Sequence, residues 1–314
     1  MRPAPEQIYP AGRLSLREVG LRDGLQLTKS WPSTGQKREW VAREAAAGVK
    51  HFEVGSFLPA DKVPRFADVR EVIAAVDHAG AHGVALALNK RGATDALATG
   101  VGEITVVVSA TEAHNMANVR RPRDQSLAEI AEVSALRHET GGTALINAGI
   151  AMAFGCSLSG AVAEDEVMRM VERCFEAGVD LVGLADTVGY AGPRQIASLC
   201  RRMERAYPGL PYVIHLHDTR GMGIANAAAA MAEGCRVFDA SLAGLGGCPF
   251  APGATGNVVM EDLVFLAERQ GFATGIDLSA LIDTRRLLAE ALPGEALHGT
   301  LAKAGAPAMA WQAA

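Results

Sequence analysis

Two histidines separated by a single residue, His215 and His217, are the sharpest chemical feature of this sequence. They close the run Val213-Ile214-His215-Leu216-His217-Asp218. In an extended strand alternate side chains share a face, so Val213, His215 and His217 point one way and Ile214 and Leu216 the other. Two imidazoles on one face can grip one metal ion. The plainer reading is a pair of hydrogen-bonded core histidines, and a second ring on the same face at a strand end favours the metal. Far upstream stands Glu18-Val19-Gly20-Leu21-Arg22-Asp23-Gly24-Leu25-Gln26. Asp23 offers a hard oxygen, and Arg22 beside it can aim its forked guanidinium into the same pocket. Taken alone, Arg-Asp-Gly reads equally as a turn with a solvated charge pair. A set of His, His and Asp with open positions suits a divalent ion that polarises oxygens, and points to Mg or Mn. Zinc would more often be tetrahedral.

Three further segments carry chemistry. Residues 243–257 hold five glycines in fifteen positions, the profile of a lid over a site. Cys248 sits at its middle, where an inert packed thiol is hard to bury. Asn257 opens the next expected helix and reads as a metal ligand or as a simple N-cap. Glu53 interrupts an apolar strand, and a carboxylate there must be paired. Arg22, one strand away, is the natural partner. Asp186 is another acidic residue at a strand end, and with Glu53 reads as scaffold rather than nucleophile. Lys90, Arg91, Arg120, Arg121 and Arg123 form a basic cluster, read as a solvated face with phosphate binding as the alternative.

The elements that must position these residues follow from periodicity. Strands are expected at 14–20, 50–55, 83–88, 102–108, 144–151, 180–185, 212–217 and 236–242. Helices are expected at 34–48, 68–79, 127–139, 164–177, 193–206, 224–233 and 258–270. Val167, Met170, Val171, Cys174 and Phe175 recur at helical spacing. Pro193 suits a first helical turn. Gly48, Gly178 and Gly234 sit where left-handed helix caps are wanted. Eight strands alternating with helices imply parallel sheet. The span 14–270 has the size of a (β/α)8 TIM barrel, whose active site lies at the C-terminal ends of the strands. A doubly wound open sheet is the alternative, but Arg22-Asp23-Gly24 does not fit its phosphate loop. The domain reading is a barrel over 1–275, with extra C-terminal helices over 276–314 packed on it.

Composition narrows the class. Of 314 residues, 49% are hydrophobic, 21% charged and only 5% aromatic. That excludes a disordered chain and suits an aliphatic core of parallel sheet and helices. With 30 Lys+Arg against 35 Asp+Glu, the formal charge of −5 gives no footprint for nucleic acid or an anionic membrane. The five cysteines are an odd number with no C-x-x-C pair, which argues against a disulfide framework and for a reducing compartment. No signal peptide or membrane span is expected.

Arg22-Asp23-Gly24-Leu25-Gln26, Glu53 with Ser56-Phe57, Ala185-Asp186-Thr187, His215-Leu216-His217-Asp218-Thr219 and the run from Ala243 to Asn257 occur in this order. The set resembles the 3-hydroxy-3-methylglutaryl-CoA lyase family of the DRE-TIM metallolyase superfamily, over roughly 14–280. Gly-Leu-Gly-Gly-Cys-Pro is its most specific motif. The resemblance implies Asp23, His215, His217 and Asn257 as ligands of Mg or Mn. It implies Arg22 as the stabiliser of an enolate, Cys248 in proton transfer and Glu53 in support. Asp23 or His215 would act as base, and Gln26, Ser56, Asp186 and Thr187 would contact substrate. The implied reaction is retro-Claisen cleavage of 3-hydroxy-3-methylglutaryl-CoA to acetyl-CoA and acetoacetate, by a cytoplasmic homodimer or homotetramer of leucine catabolism. Alternatives are a lyase for a related acyl-CoA such as citramalyl-CoA, a condensing enzyme like isopropylmalate or homocitrate synthase, and an idle acyl-CoA-binding barrel. Leu21, the run Pro59-Ala60-Asp61-Lys62 and Ser157-Leu158-Ser159 depart from the family pattern near strand ends, where acyl selectivity is set.

Overall fold

Strands and helices alternate along the chain as its periodicity predicts. The computed structural model describes residues 2–246 and 256–307. After a short helix α1 (Pro5–Ile8) come β1 (Ser15–Glu18), α2 (Thr34–Ala46), β2 (His51–Ser56), α3 (Val69–His78) and β3 (His82–Leu86). Then follow α4 (Lys90–Leu97), β4 (Glu103–Ser109), α5 (Glu112–Val119), α6 (Arg123–Glu139) and β5 (Leu145–Ala151). Next are α7 (Glu164–Glu176), β6 (Leu181–Asp186), α8 (Pro193–Ala206), β7 (Val213–Leu216), α9 (Gly223–Ala232) and β8 (Val237–Ala240). Helices α10 (Met260–Arg269), α11 (Leu278–Ala291) and α12 (Leu301–Ala304) complete the described chain.

The strands pair in sequence order, all parallel, and β8 closes on β1. The fold is a TIM barrel. Its outward strand residues, such as Leu16, Phe52, Ile104, Ile146, Val182, Ile214 and Phe238, pack in one core with the helix stripes. Leu281, Leu287 and Leu288 of α11 lie in that same core, so the first C-terminal helix is continuous with the barrel's packing. Gly48 shows why a left-handed cap is needed after α2. Its φ is +108°, and a Cβ there would lie 2.2 Å from the Gly275 carbonyl oxygen.

Some boundaries differ from the sequence reading. The sequence gives no bounds for α4 and α5, because their short polar segments show no apolar period. Side-chain caps start both: Asn89 accepts from Gly92 N (2.9 Å) and Thr111 from His114 N (3.4 Å). The helix expected from 258 begins at Met260, with Val259 at its N-cap position. Asn257 is therefore not a helix cap; it pairs with His217 in an isolated bridge. Cys156, Cys174, Cys200 and Cys235 are free buried thiols. Among the described residues no helix is long and apolar enough to cross a membrane.

The barrel interior is polar where a TIM barrel is usually aliphatic. An apolar floor of Leu145, Leu181, Val213 and Val237 is closed by Tyr9, which follows α1. Above it Arg17 binds Glu103 Oε1 (2.8 Å) and Asp239 Oδ1 (2.7 Å), all buried.

A second buried charge cluster lies outside the sheet. Arg17 faces inward, so Glu18 faces the helices, where Glu44 of α2 and Glu261 of α10 approach it. Glu18 accepts from Gly20 N and Leu242 N (2.8 Å), and Glu261 accepts from Ala243 N and the Arg285 guanidinium. These bonds anchor the backbones that leave β1 and β8. Burial pushes the Glu18 carboxyl up to about 8 against the opposing backbone hydrogen bonds, and Glu44 rises with it. The unfolded chain releases such protons near 4.5 while the folded chain keeps them. Stability should therefore fall as pH rises from that value towards 8. Glu44→Gln removes one of these titrating groups and should flatten the fall. Denaturation at pH 5 and pH 8 checks it; equal pH slopes in both proteins would contradict the account.

Candidate active site

The turn that ends β1 delivers the first site residues. The amides of Arg22, Asp23 and Gly24 all donate to the Val19 carbonyl, at 3.1, 2.8 and 3.1 Å. This winds the chain tightly and lifts Arg22 and Asp23 over the barrel mouth. Gly20 is required at the start of the turn, since a Cβ would sit 2.4 Å from Glu18 Oε1.

Across the mouth, β7 and the residue after it supply His215 and His217. Potential ligand atoms of Asp23, His215 and His217 all lie within 4.8 Å of one another. His217 Nε2 is 3.6 Å from Asp23 Oδ2. The two rings stand 5.1 Å apart and are tilted by 50°. These three side chains form a group able to hold a metal ion, as the sequence suggests. Asn257 joins them from the far side. Its Nδ2 donates to Asp23 Oδ2 (2.8 Å) and to the Leu245 carbonyl (3.2 Å). Its Oδ1 is buried and has no hydrogen-bond partner among the described residues. A buried carbonyl oxygen lacking a donor is costly unless a cation takes it. The donor set therefore fits a divalent ion.

Arg22 is clamped. Its Nε lies 2.7 Å from Glu53 Oε2 in an ion pair, and its Nη1 donates to Asp23 Oδ1 (2.7 Å) and Gln26 Oε1 (3.1 Å). The expected pairing of Arg22 with Glu53 is present, and so is the Arg22–Asp23 pair. Burial pushes the Asp23 carboxyl up, but Arg22, His217 and His215 outweigh it and hold it well below the usual carboxylate range. Burial wins at Glu53, whose carboxyl is raised despite Arg22.

The other expected contacts divide. Ser56 is buried at the end of β2. Asp186 accepts from Tyr190 N (2.8 Å) and Ala191 N (3.1 Å), and the Thr187 hydroxyl accepts from Met152 N (2.9 Å). Both therefore build the loops after β5 and β6. Arg121 and Arg123 of the basic cluster are not a solvated face: Arg121 pairs with Glu129, and Arg123 with Glu112 and Glu166. Cys248 lies outside the described residues. The stems of its segment are described. A Cβ on Gly256 would meet the Gly246 carbonyl oxygen at 1.7 Å, and one on Gly246 would meet Asn257 Nδ2 at 3.0 Å. The segment carrying Cys248 thus starts and ends against the metal-ligand candidates.

Sequence reasoning missed the residues beneath the site. His215 Nδ1 lies 3.0 Å from Asp239 Oδ2, and Asp239 is in turn held by Arg17. The available signal was a charged residue on the inward face of β1, β4 and β8.

Comparison with known proteins agrees with this geometry. The HMGL-like family model matches residues 13–288. The hydroxymethylglutaryl-CoA lyase YngG of Bacillus subtilis is 34% identical over 283 residues, covering 90% of this chain and 94% of the relative. The (R)-citramalyl-CoA lyase of Chloroflexus aurantiacus is 37% identical over 304 residues, covering 93% and 95%. The crystal structure of hydroxymethylglutaryl-CoA lyase from Pseudomonas aeruginosa superposes with a TM-score of 0.87 at 34% identity, covering 93% of this chain and 97% of that one. A closed barrel, a converging Asp-His-His group and a family match along most of the sequence lead to one assignment: this chain belongs to the HMGL-like family.

Proposed function

We propose that this protein is a metal-dependent carbon–carbon lyase that cleaves 3-hydroxy-3-methylglutaryl-CoA to acetyl-CoA and acetoacetate. The observation that carries the reading is the convergence of Asp23, His215 and His217 beside the clamped guanidinium of Arg22. The names of the relatives supply the substrate class, and two of those above are hydroxymethylglutaryl-CoA lyases.

The cleavage has simple requirements. The C3 hydroxyl loses its proton, and its oxygen becomes the ketone of acetoacetate. The C2–C3 bond breaks, and its electron pair goes to the thioester as an enolate. That enolate takes a proton at C2 to give acetyl-CoA. A divalent ion, Mg or Mn in our reading, would be held by Asp23, His215, His217 and Asn257, and would polarise the oxygens of the bound substrate. Arg22 supplies fixed positive charge where the enolate oxygen develops. Glu53, through the Arg22 Nε, keeps that guanidinium from swinging away. Asp23, held far below the usual range, is a weak proton acceptor. His215 has its Nδ1 taken by Asp239, so its Nε2 offers one lone pair, for the ion or for the hydroxyl proton. Cys248 is assigned the proton for C2.

The identity to (R)-citramalyl-CoA lyase favours a second substrate for the same chemistry. Comparison of kcat/KM on 3-hydroxy-3-methylglutaryl-CoA and citramalyl-CoA decides between them. Cleavage of either supports the lyase, and Cys248→Ser should then lose most of its turnover. No cleavage of either, with acetyl-CoA condensation instead, would show a synthase. Asp23→Asn should lower divalent-metal affinity by more than the ~10–100-fold that losing an outer partner costs, and lower turnover with it. Calorimetric titration with Mn measures this; undiminished metal binding would remove Asp23 from the ligand set.

A further inference from the structure

A chain of buried hydrogen bonds runs up the barrel axis from its floor to the proposed metal centre. Tyr9 OH donates to Glu103 Oε2 (2.8 Å). Glu103 Oε1 accepts from Arg17 Nη1 (2.8 Å) and from Asn147 Nδ2 (2.9 Å). Arg17 Nε donates to Asp239 Oδ1 (2.7 Å), and Asp239 Oδ2 meets His215 Nδ1 at 3.0 Å. Glu103 is fully buried, and Tyr9, Arg17 and Asn147 are at most 2% exposed. Packing of this kind leaves these side chains little freedom to reorient.

We propose that Asp239 is a positioning residue that fixes the tautomer and direction of the His215 ring, with Arg17 and Glu103 fixing Asp239 from below. This rests on the metal-dependent reading of the site. A carboxylate only accepts hydrogen bonds, so the His215 nitrogen facing Asp239 must carry hydrogen. In the neutral ring Nε2 is then bare and presents its lone pair to the mouth, as a metal ligand or base requires. The position of Asp239 is not left to His215 alone. Its other oxygen is taken by Arg17, opposite it in register across the β1–β8 pair. Arg17 in turn has a second carboxylate, Glu103, on its other side.

The same geometry specifies what an amide would do. In Asp239→Asn, Arg17 Nε–H still needs an acceptor, so the amide oxygen must face Arg17. The amide NH2 then faces His215 Nδ1 and can only donate to it. That forces the ring hydrogen onto Nε2, where it opposes a cation and cannot receive a proton. A nearly isosteric change thus inverts the tautomer.

Two measurements test this. Calorimetric Mn titration of Asp239→Asn is expected to show ~10–100-fold weaker binding than the unaltered protein. Where turnover is measurable, kcat should fall with KM for the acyl-CoA little changed. The unaltered protein, metal-free at pH 8.5 with ¹⁵N-labelled histidine, is expected to show His215 with hydrogen on Nδ1 and a bare Nε2; His215→Gln identifies the signals. That spectrum decides even if Asp239→Asn fails to fold. Hydrogen on Nε2 alone, or a folded Asp239→Asn that binds Mn as tightly as the parent, overturns the inference. Neither outcome depends on cleavage. A parent protein that takes up no Mn and cleaves no acyl-CoA would instead break the functional reading beneath it.

Discussion

Closure of the sheet between its first and last strands is the constraint on which the site depends. Arg17 and Asp239 are 222 residues apart in sequence and meet in register across that seam. The same closure brings Asp23 to Asn257, 234 residues away. Removing one partner of a buried ion pair typically costs ~3–5 kcal/mol, because it strands the other charge. The seam is therefore fixed in place by charges as well as by the strand ladder. The carboxyl groups of Glu18 and Glu261 act outside the sheet through hydrogen bonds, gripping the backbones that emerge from β1 and β8. Asp23 follows closely on the gripped Gly20, and Asn257 comes fourteen residues after the gripped Ala243.

The interior of this barrel is organised in tiers with different tasks. Aliphatic residues and Tyr9 seal the floor. A charged middle tier carries Arg17, Glu103, Asn147 and Asp239, each with its polar partners close by. The mouth carries imidazoles, carboxylates and Arg22. Burying the charges of the middle tier is tolerable because Arg17, Glu103 and Asp239 satisfy one another, while Asn147 Oδ1 has no hydrogen-bond partner among the described residues. The arrangement places a rigid polar support under the imidazole to which the chemistry assigns most.

Much of this was legible in the sequence, and for identifiable reasons. The alternation of strand and helix periods specified eight strands, because each parallel pairing needs a crossover. His215 and His217 stood out because period two places them on one face at a strand end. The Arg22–Glu53 pair followed from the cost of an unpaired carboxylate inside a barrel. The position of Asn257 was ambiguous, because an Asn before an apolar helix looks the same whether it caps the helix or turns away from it. Helices α4 and α5 have too few apolar residues to show a period. Arg17, Glu103 and Asp239 were hidden by distance: they stand on three different strands, and only the closed register makes them a group. The oxygens of Asp186 and Thr187 are engaged by loop amides, a partner choice that depends on loop geometry and leaves no period in the sequence.

The account turns on whether a cation sits among side chains drawn from the two ends of the chain. Anomalous diffraction from crystals soaked in Mn measures this directly. The account predicts a single strong peak bounded by Asp23, His215 and His217, with Asn257 Oδ1 turned towards it. Fully occupied Mn elsewhere, with nothing between the Asp23 carboxylate and the two rings, would contradict it.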